Sequence, residues 1–199
     1  RTPSGYSPGS PSAVNNPLYT VPLCFDIGTL DFLDEIATSY LECKTAIGTT
    51  NLRKSYVTSL PERDTLLFHC DRNSIKFLKF FFYLNNVDID GGPFTYVQGS
   101  HTEKFRKWDN KYRWTHKEIN KQYGGKRIHY LTAEAGDLIV ANTTGFHKGS
   151  VPRKTNRMMF TVNYVIHPED WGEPKEPIRK SQVVPKEKEH LADFLIRKD

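Results

Sequence analysis

FHCDRNSIKFLKFFFYLNNVDIDGGPFTYVQGSH, residues 68–101, is the stretch whose reading decides the fold. It begins at the end of an apolar run, Leu66-Leu67-Phe68, and passes at once to His69-Cys70-Asp71. On a β-strand, successive side chains point to opposite faces. The His69 imidazole and the Asp71 carboxylate therefore share one face, and Cys70 turns to the other, where it is expected in the core. A carboxylate at the end of an apolar strand needs a partner, and a metal ion is one. Asp71-Arg72-Asn73-Ser74 reads as a connection, and Phe77 to Leu84 as a second strand that contains Lys79. Asn85-Asn86 ends that strand and Asp90-Gly91-Gly92-Pro93 makes a turn. Phe94 to Gln98 is a short strand closed by Gly99-Ser100-His101.

The pattern continues in AGDLIVANTTGFHKGS, residues 135–150, with a turn at Ala135-Gly136-Asp137, a strand from Leu138 to Ala141, and then His147. Strand character also marks Ile128 to Thr132 and a long last strand from Met158 to Ile166, which Arg157 opens. Two histidines and one carboxylate in this order match the facial triad that holds Fe(II) in non-haem oxygenases and leaves three positions open. The planar fork of Arg157, ten residues after His147, suits the far carboxylate of a 2-oxo-dicarboxylate co-substrate. Ser150 is a further candidate donor to that co-substrate. Arg153 and Lys154, in the turn before the last strand, are expected to be solvated.

The chain has 199 residues, enough for one domain with a full core, and 37% of them are hydrophobic, which excludes a disordered chain. Aromatic residues make up 13% and favour β structure. The net charge of +5 is compatible with an acidic substrate or carrier. The three cysteines, Cys24, Cys43 and Cys70, form no paired framework. That points to a reduced, intracellular setting, and the cytoplasm is the expected location. The longest apolar run is too short to cross a bilayer, and no signal peptide is recognised. The chain starts at Arg1 rather than Met, which is compatible with a trimmed or tagged chain and with missing upstream sequence.

Residues 1–17 are rich in Pro, Ser and Gly and read as a flexible lead-in. Thr29 to Leu41 reads as one helix capped by Thr29, with Leu30, Leu33, Ile36, Ala37, Tyr40 and Leu41 on a core-facing stripe. Residues 102–127 are basic and aromatic and read as an insertion between strands. It is either a solvated loop or a lid that attracts an anionic substrate. Residues 18–170 are expected to form the domain. Residues 171–199 are expected to be a charged extension with a short helix at 186–196. Many short strands with Gly-rich turns predict a mainly β fold with flanking helices, a jelly roll.

On the residues quoted above, the chain resembles the phytanoyl-CoA dioxygenase family, a branch of the Fe(II)/2-oxoglutarate oxygenases. The match comprises His-x-Asp, a strand ending in Leu, Gly-Pro-Phe, Gly-Ser-His, the AGDLIVANTTGFHKGS segment and the Arg157 strand. It covers roughly residues 64–166. The resemblance implies a cupin-like double-stranded β-helix, with His69, Asp71 and His147 as catalytic iron ligands and Arg157 as the 2-oxoglutarate partner. It implies a dioxygenase that consumes O2 and 2-oxoglutarate and releases succinate and CO2. Halogenating relatives carry a small residue at the position of Asp71, so this chain is expected to hydroxylate an unactivated C–H of a small molecule, anionic or carrier-linked. Neither a membrane nor a nucleic acid is the expected partner.

Two other readings are weighed against this one. A nucleic-acid demethylase of the same superfamily would use the basic insertion on a phosphate backbone, with Arg153 and Arg157 as a pair. A jelly-roll binding module would have no chemistry at all. His101 is a candidate for the substrate side of the pocket or for a turn, while His116 and His129 are expected at the surface.

Overall fold

Strand alternation generates two antiparallel sheets from this sequence. The computed structural model describes residues 12–72, 74–103 and 111–166. Its strands are β1 (Ser12–Asn15), β2 (Ala46–Ser55), β3 (Phe77–Tyr83), β4 (Phe94–Val97), β5 (Ile128–Leu131), β6 (Leu138–Ala141), β7 (His147–Gly149) and β8 (Arg157–Val165). Its helices are α1 (Pro22–Gly28), α2 (Asp31–Leu41) and α3 (His116–Tyr123). A five-stranded sheet has the order β1-β2-β8-β3-β6, and a three-stranded sheet the order β5-β4-β7. This is the expected mainly β, double-stranded β-helix architecture with flanking helices.

Period 2 divides each central strand between two environments. In β3, Leu78 and Phe80 face the helices; in β8, Phe160, Val162 and Tyr164 do the same. They pack on Leu18, Cys24, Leu33 and Ala37, all buried. The odd residues Lys79, Phe81, Arg157, Met159 and Thr161 face inward to a cavity. In β2 the parity changes. Ile47 belongs to the helix-side core, yet Thr49, Asn51 and Arg53 face the cavity. The register shift between Ile47 and Thr50 is the cause. A β-bulge inserts one residue and exchanges the faces beyond it.

The helical region differs from the single expected helix. Thr29 ends α1, and its hydroxyl donates to the Phe25 carbonyl at 2.9 Å. Leu30 occupies the N-cap position of α2. Only Leu33, Ala37 and Leu41 of α2 are buried, while Leu30, Ile36 and Tyr40 lie on the exposed side. Part of the expected flexible lead-in is ordered, because Ser12–Asn15 pair with Lys54–Asn51 along the edge of β2. Asp64–Leu66 form a 3-10 turn where the strand was expected to begin. The proposed helix at 186–196, the extension 171–199 and residues 104–110 of the insertion lie outside the described residues. No helix among the described residues is long and apolar enough to cross a membrane.

The described part of the insertion is not a detached loop. α3 begins in a capping box, in which Thr115 and Glu118 each bond the other's backbone N–H. Ile119 is fully buried with Phe68, Val97, Ile128 and Phe146, and Trp114 and Tyr123 pack on that cluster. Phe68 and Cys70 enter the same cluster from the His-x-Asp segment. The insertion therefore supports the strand that carries the candidate ligands, from its far side.

Candidate metal centre and its cavity

His69 and His147 are brought face to face by backbone pairing. The His69 N–H donates to the His147 carbonyl at 2.9 Å, and the His147 N–H to the His69 carbonyl at 3.0 Å. Directly opposed residues of an antiparallel pair carry their side chains on one face, and the two rings lie 4.3 Å apart, centroid to centroid. Asp71 follows on the same face because Cys70 has taken the other. Its backbone N–H is held by the Thr143 carbonyl at 2.8 Å. His69 Nε2 is 3.8 Å from Asp71 Oδ1, and His147 Nε2 is 3.5 Å from Asp71 Oδ2. One ligand atom from each of these residues lies within 4.8 Å of the others.

Backbone carbonyls determine the tautomer of both rings. His69 Nδ1 lies 2.9 Å from the Leu67 carbonyl, and His147 Nδ1 lies 2.9 Å from the Gly145 carbonyl. A carbonyl only accepts, so each Nδ1 carries the hydrogen and each Nε2 presents its lone pair. This is the arrangement a ligating imidazole requires. Burial lowers the pKa of both histidines: that of His69 falls below its usual value, and that of His147 falls to about 3. Both are neutral near pH 7, as metal binding demands. Burial pushes the Asp71 carboxyl up, but the charge of Lys79 and a hydrogen bond from Lys79 outweigh it. Asp71 therefore stays ionised, well below the usual carboxylate range. Two neutral imidazoles and one carboxylate fit a divalent first-row metal such as Fe(II).

The cavity above these ligands measures about 170 Å³. Its walls include Asn51, Arg53, Lys79, Phe94, Gly149 and Arg157. Arg157 is buried and lines the same cavity as the triad. Its Nη1 donates to the Gly92 carbonyl, and its Nη2 donates to Ser55 Oγ at 3.3 Å. Its Nε has no hydrogen-bond partner among the described residues. Burial lowers the guanidinium pKa to about 10, so the charge persists at neutral pH. A buried cation with an unused donor is costly unless an anion joins it. Two glycines permit close approaches here: Gly92 to the backbone of residues 150–152, and Gly149 to this side chain. Gly92 has φ +71°, and a Cβ there would strike the Ser150 carbonyl and the Pro152 nitrogen. A Cβ on Gly149 would come 2.7 Å from Arg157 Nη2.

The other sequence candidates fall in different places. The Ser150 hydroxyl lies 2.8 Å from Thr95 Oγ1, and the Ser150 carbonyl is 3.5 Å from Arg157 Nη1. His101 Nδ1 lies 3.4 Å from Tyr96 Oη. His116 is partly covered between Phe68 and Tyr130, and His129 is exposed. Arg153 binds the carbonyls of Thr58 and Leu60 and lies outside the cavity wall. Lys79 and Arg53 were not singled out in the sequence. A lone lysine inside the Phe77–Leu84 run, eight residues after Asp71, was the available signal, since a buried ammonium needs an anion.

The chain is similar to known proteins in sequence family and in fold. The model of the phytanoyl-CoA dioxygenase family matches residues 54–157, which contain His69, Asp71, His147 and Arg157. No curated protein matches the sequence. Among solved structures, HygX from Streptomyces hygroscopicus, with nickel, 2-oxoglutarate and hygromycin B bound, is similar at TM-score 0.58 and 15% identity; the match covers 86% of this chain and 76% of HygX. SnoK, an alpha-ketoglutarate-dependent carbocyclase from nogalamycin biosynthesis, is similar at TM-score 0.61 and 17% identity, over 76% of this chain and 62% of SnoK. AviO1 from Streptomyces viridochromogenes is similar at TM-score 0.52 and 16% identity over 70% of this chain, and the chain spans 59% of AviO1. At these identities the likeness establishes the fold.

Proposed function

The chain belongs to the phytanoyl-CoA dioxygenase family, and from that membership we propose that it is an Fe(II)- and 2-oxoglutarate-dependent dioxygenase that hydroxylates a small molecule. The observation that carries the proposal is the convergence of His69, Asp71 and His147 in one cavity with the buried Arg157. His69 Nε2, His147 Nε2 and an Asp71 oxygen would hold the iron. Bound iron supplies O2 activation coupled to conversion of 2-oxoglutarate into succinate and CO2.

The protein's own groups do the rest. The Leu67 and Gly145 carbonyls lock the two imidazoles in the ligating tautomer. Arg157 receives the distal carboxylate of the co-substrate, and Gly149 leaves space for the guanidinium. Phe94 and Phe81 give the cavity an apolar wall beside the ligands. A carboxylate at position 71 fills the ligand position that halogenating relatives leave open for chloride, which favours hydroxylation. The substrate is a small molecule, in keeping with the hygromycin B that HygX holds bound. Cys24, Cys43 and Cys70 form no disulfide among the described residues, which fits a reducing compartment, and the cytoplasm is the proposed location.

The test is anaerobic addition of Fe(II) and 2-oxoglutarate to the purified protein. A visible charge-transfer band is expected in the wild type, together with its loss in Asp71→Ala. A wild-type protein whose metal spectrum ignores 2-oxoglutarate would overturn the proposal. Succinate release across a panel of small metabolites then identifies the substrate.

A further inference from the structure

Lys79 Nζ lies 2.7 Å from Asp71 Oδ2, and both side chains are largely buried. An ammonium and a divalent metal would thus share one carboxylate. The charge along the cavity sharpens the point. Two of its lining residues, Lys79 and Arg157, are largely buried cations, and its lining carboxylate is Asp71. A divalent metal adds two positive charges and 2-oxoglutarate removes two, so these groups keep an excess of one positive charge. Low-dielectric surroundings make such an excess costly unless further negative charge or a closer anion joins it.

Position along the sheet distinguishes the lining cations. Arg157 opens β8, and Arg53 lies opposite Met159 on the neighbouring β2. Lys79 is opposite Asn163, toward the other end of β8. Arg53 and Arg157 therefore attend the distal end of the cavity, and Lys79 attends the metal end. We infer that Lys79 is a carboxylate-binding residue at the metal end of the cavity. When a metal takes the charge of Asp71, the Lys79 ammonium receives the carboxylate of a ligand beside the metal. That carboxylate comes either from the 2-oxo-acid head of the co-substrate or from the substrate. The inference rests on the oxygenase reading above.

Calorimetry on nickel-loaded protein separates the sources, with Lys79→Met, Lys79→Arg and Arg157→Gln beside the wild type. Pyruvate serves as a 2-oxo-acid head without a distal carboxylate. If the head is the source, Lys79→Met weakens both 2-oxoglutarate and pyruvate by about tenfold or more, and Lys79→Arg recovers part of the loss. Arg157→Gln then weakens 2-oxoglutarate and spares pyruvate. If the substrate is the source, Lys79→Met leaves both unchanged but abolishes binding of malonate to the nickel–2-oxoglutarate protein. Nickel itself should bind Lys79→Met at least as tightly as the wild type, because a neighbouring cation has gone. Loss of nickel in Lys79→Met, or no change in any of the three carboxylates, overturns the inference. A wild type that binds no nickel would overturn the oxygenase reading, and the inference with it.

Discussion

Gly149→Ala isolates the anchoring role of Arg157 from the metal centre. Gly149 lies in β7, two residues beyond His147, and pairs with Phe94 of β4. The substitution adds one methyl group. That group would lie 2.7 Å from Arg157 Nη2 and 3.4 Å from both Cζ and Nη1. Van der Waals contact between carbon atoms needs roughly 3.5–4.0 Å, so the guanidinium must move by a good part of an ångström. It is held by the Gly92 carbonyl and Ser55 Oγ, and moving it misaligns the fork that would meet the distal carboxylate. A hydrogen bond to a charged group contributes about 1.5–3 kcal/mol. The dissociation constant for 2-oxoglutarate should therefore rise roughly 10- to 150-fold. The assay is calorimetry of 2-oxoglutarate into nickel-loaded wild type and variant, with nickel affinity measured separately. Nickel affinity should be unchanged, because the methyl group meets Arg157 and not the ligands. Unchanged 2-oxoglutarate affinity in a folded, nickel-binding variant would refute the assignment of Arg157 as the anchor.

Asp71→Ala and His69→Ala should each abolish succinate release and lower metal affinity by tenfold or more, on the order of the losses seen when groups supporting a ligand are removed; titration with nickel checks this. Ile119→Ala should cost about 2–5 kcal/mol of stability, since Ile119 is fully buried beneath Phe68; a change below 0.5 kcal/mol in urea unfolding, roughly that of a surface substitution, would show α3 to be a separable lid. The pH dependence of metal-free protein is also set. His147 is neutral in the folded state down to about pH 3 but protonates near 6.5 when unfolded. The unfolded state then binds more protons, so stability falls as pH drops below about 6.5, by up to about 1.4 kcal/mol per pH unit for this group. His69 acts in the same direction. Asp71 adds a further loss below its unfolded value of 3.8. Thermal melts between pH 7 and 4 in chelator test the sign, and a melting temperature that rises on acidification would contradict it.

Much of the site was legible because it depends on local alternation. His69 and Asp71 share a face and Cys70 turns away simply because side chains on a strand alternate. The order of His147 and Arg157 along later strands was equally plain. The helix over 29–41 was less so, because a threonine can end one helix as readily as it starts the next. Thr29 binds back to Phe25, which the spacing of apolar residues does not reveal.

The sequence by itself determined which residues can ligate a metal and which side of their strand they occupy, since period 2 is a property of the backbone. Only the tertiary structure decided that His69 pairs directly with His147, because pairing between distant segments depends on the whole sheet. The bulge in β2 that turns Arg53 inward and the packing of the insertion beneath Phe68 were decided there too. So was the juxtaposition of Lys79 with Asp71, in which a charge left inside an apolar strand finds its anion on a neighbouring segment.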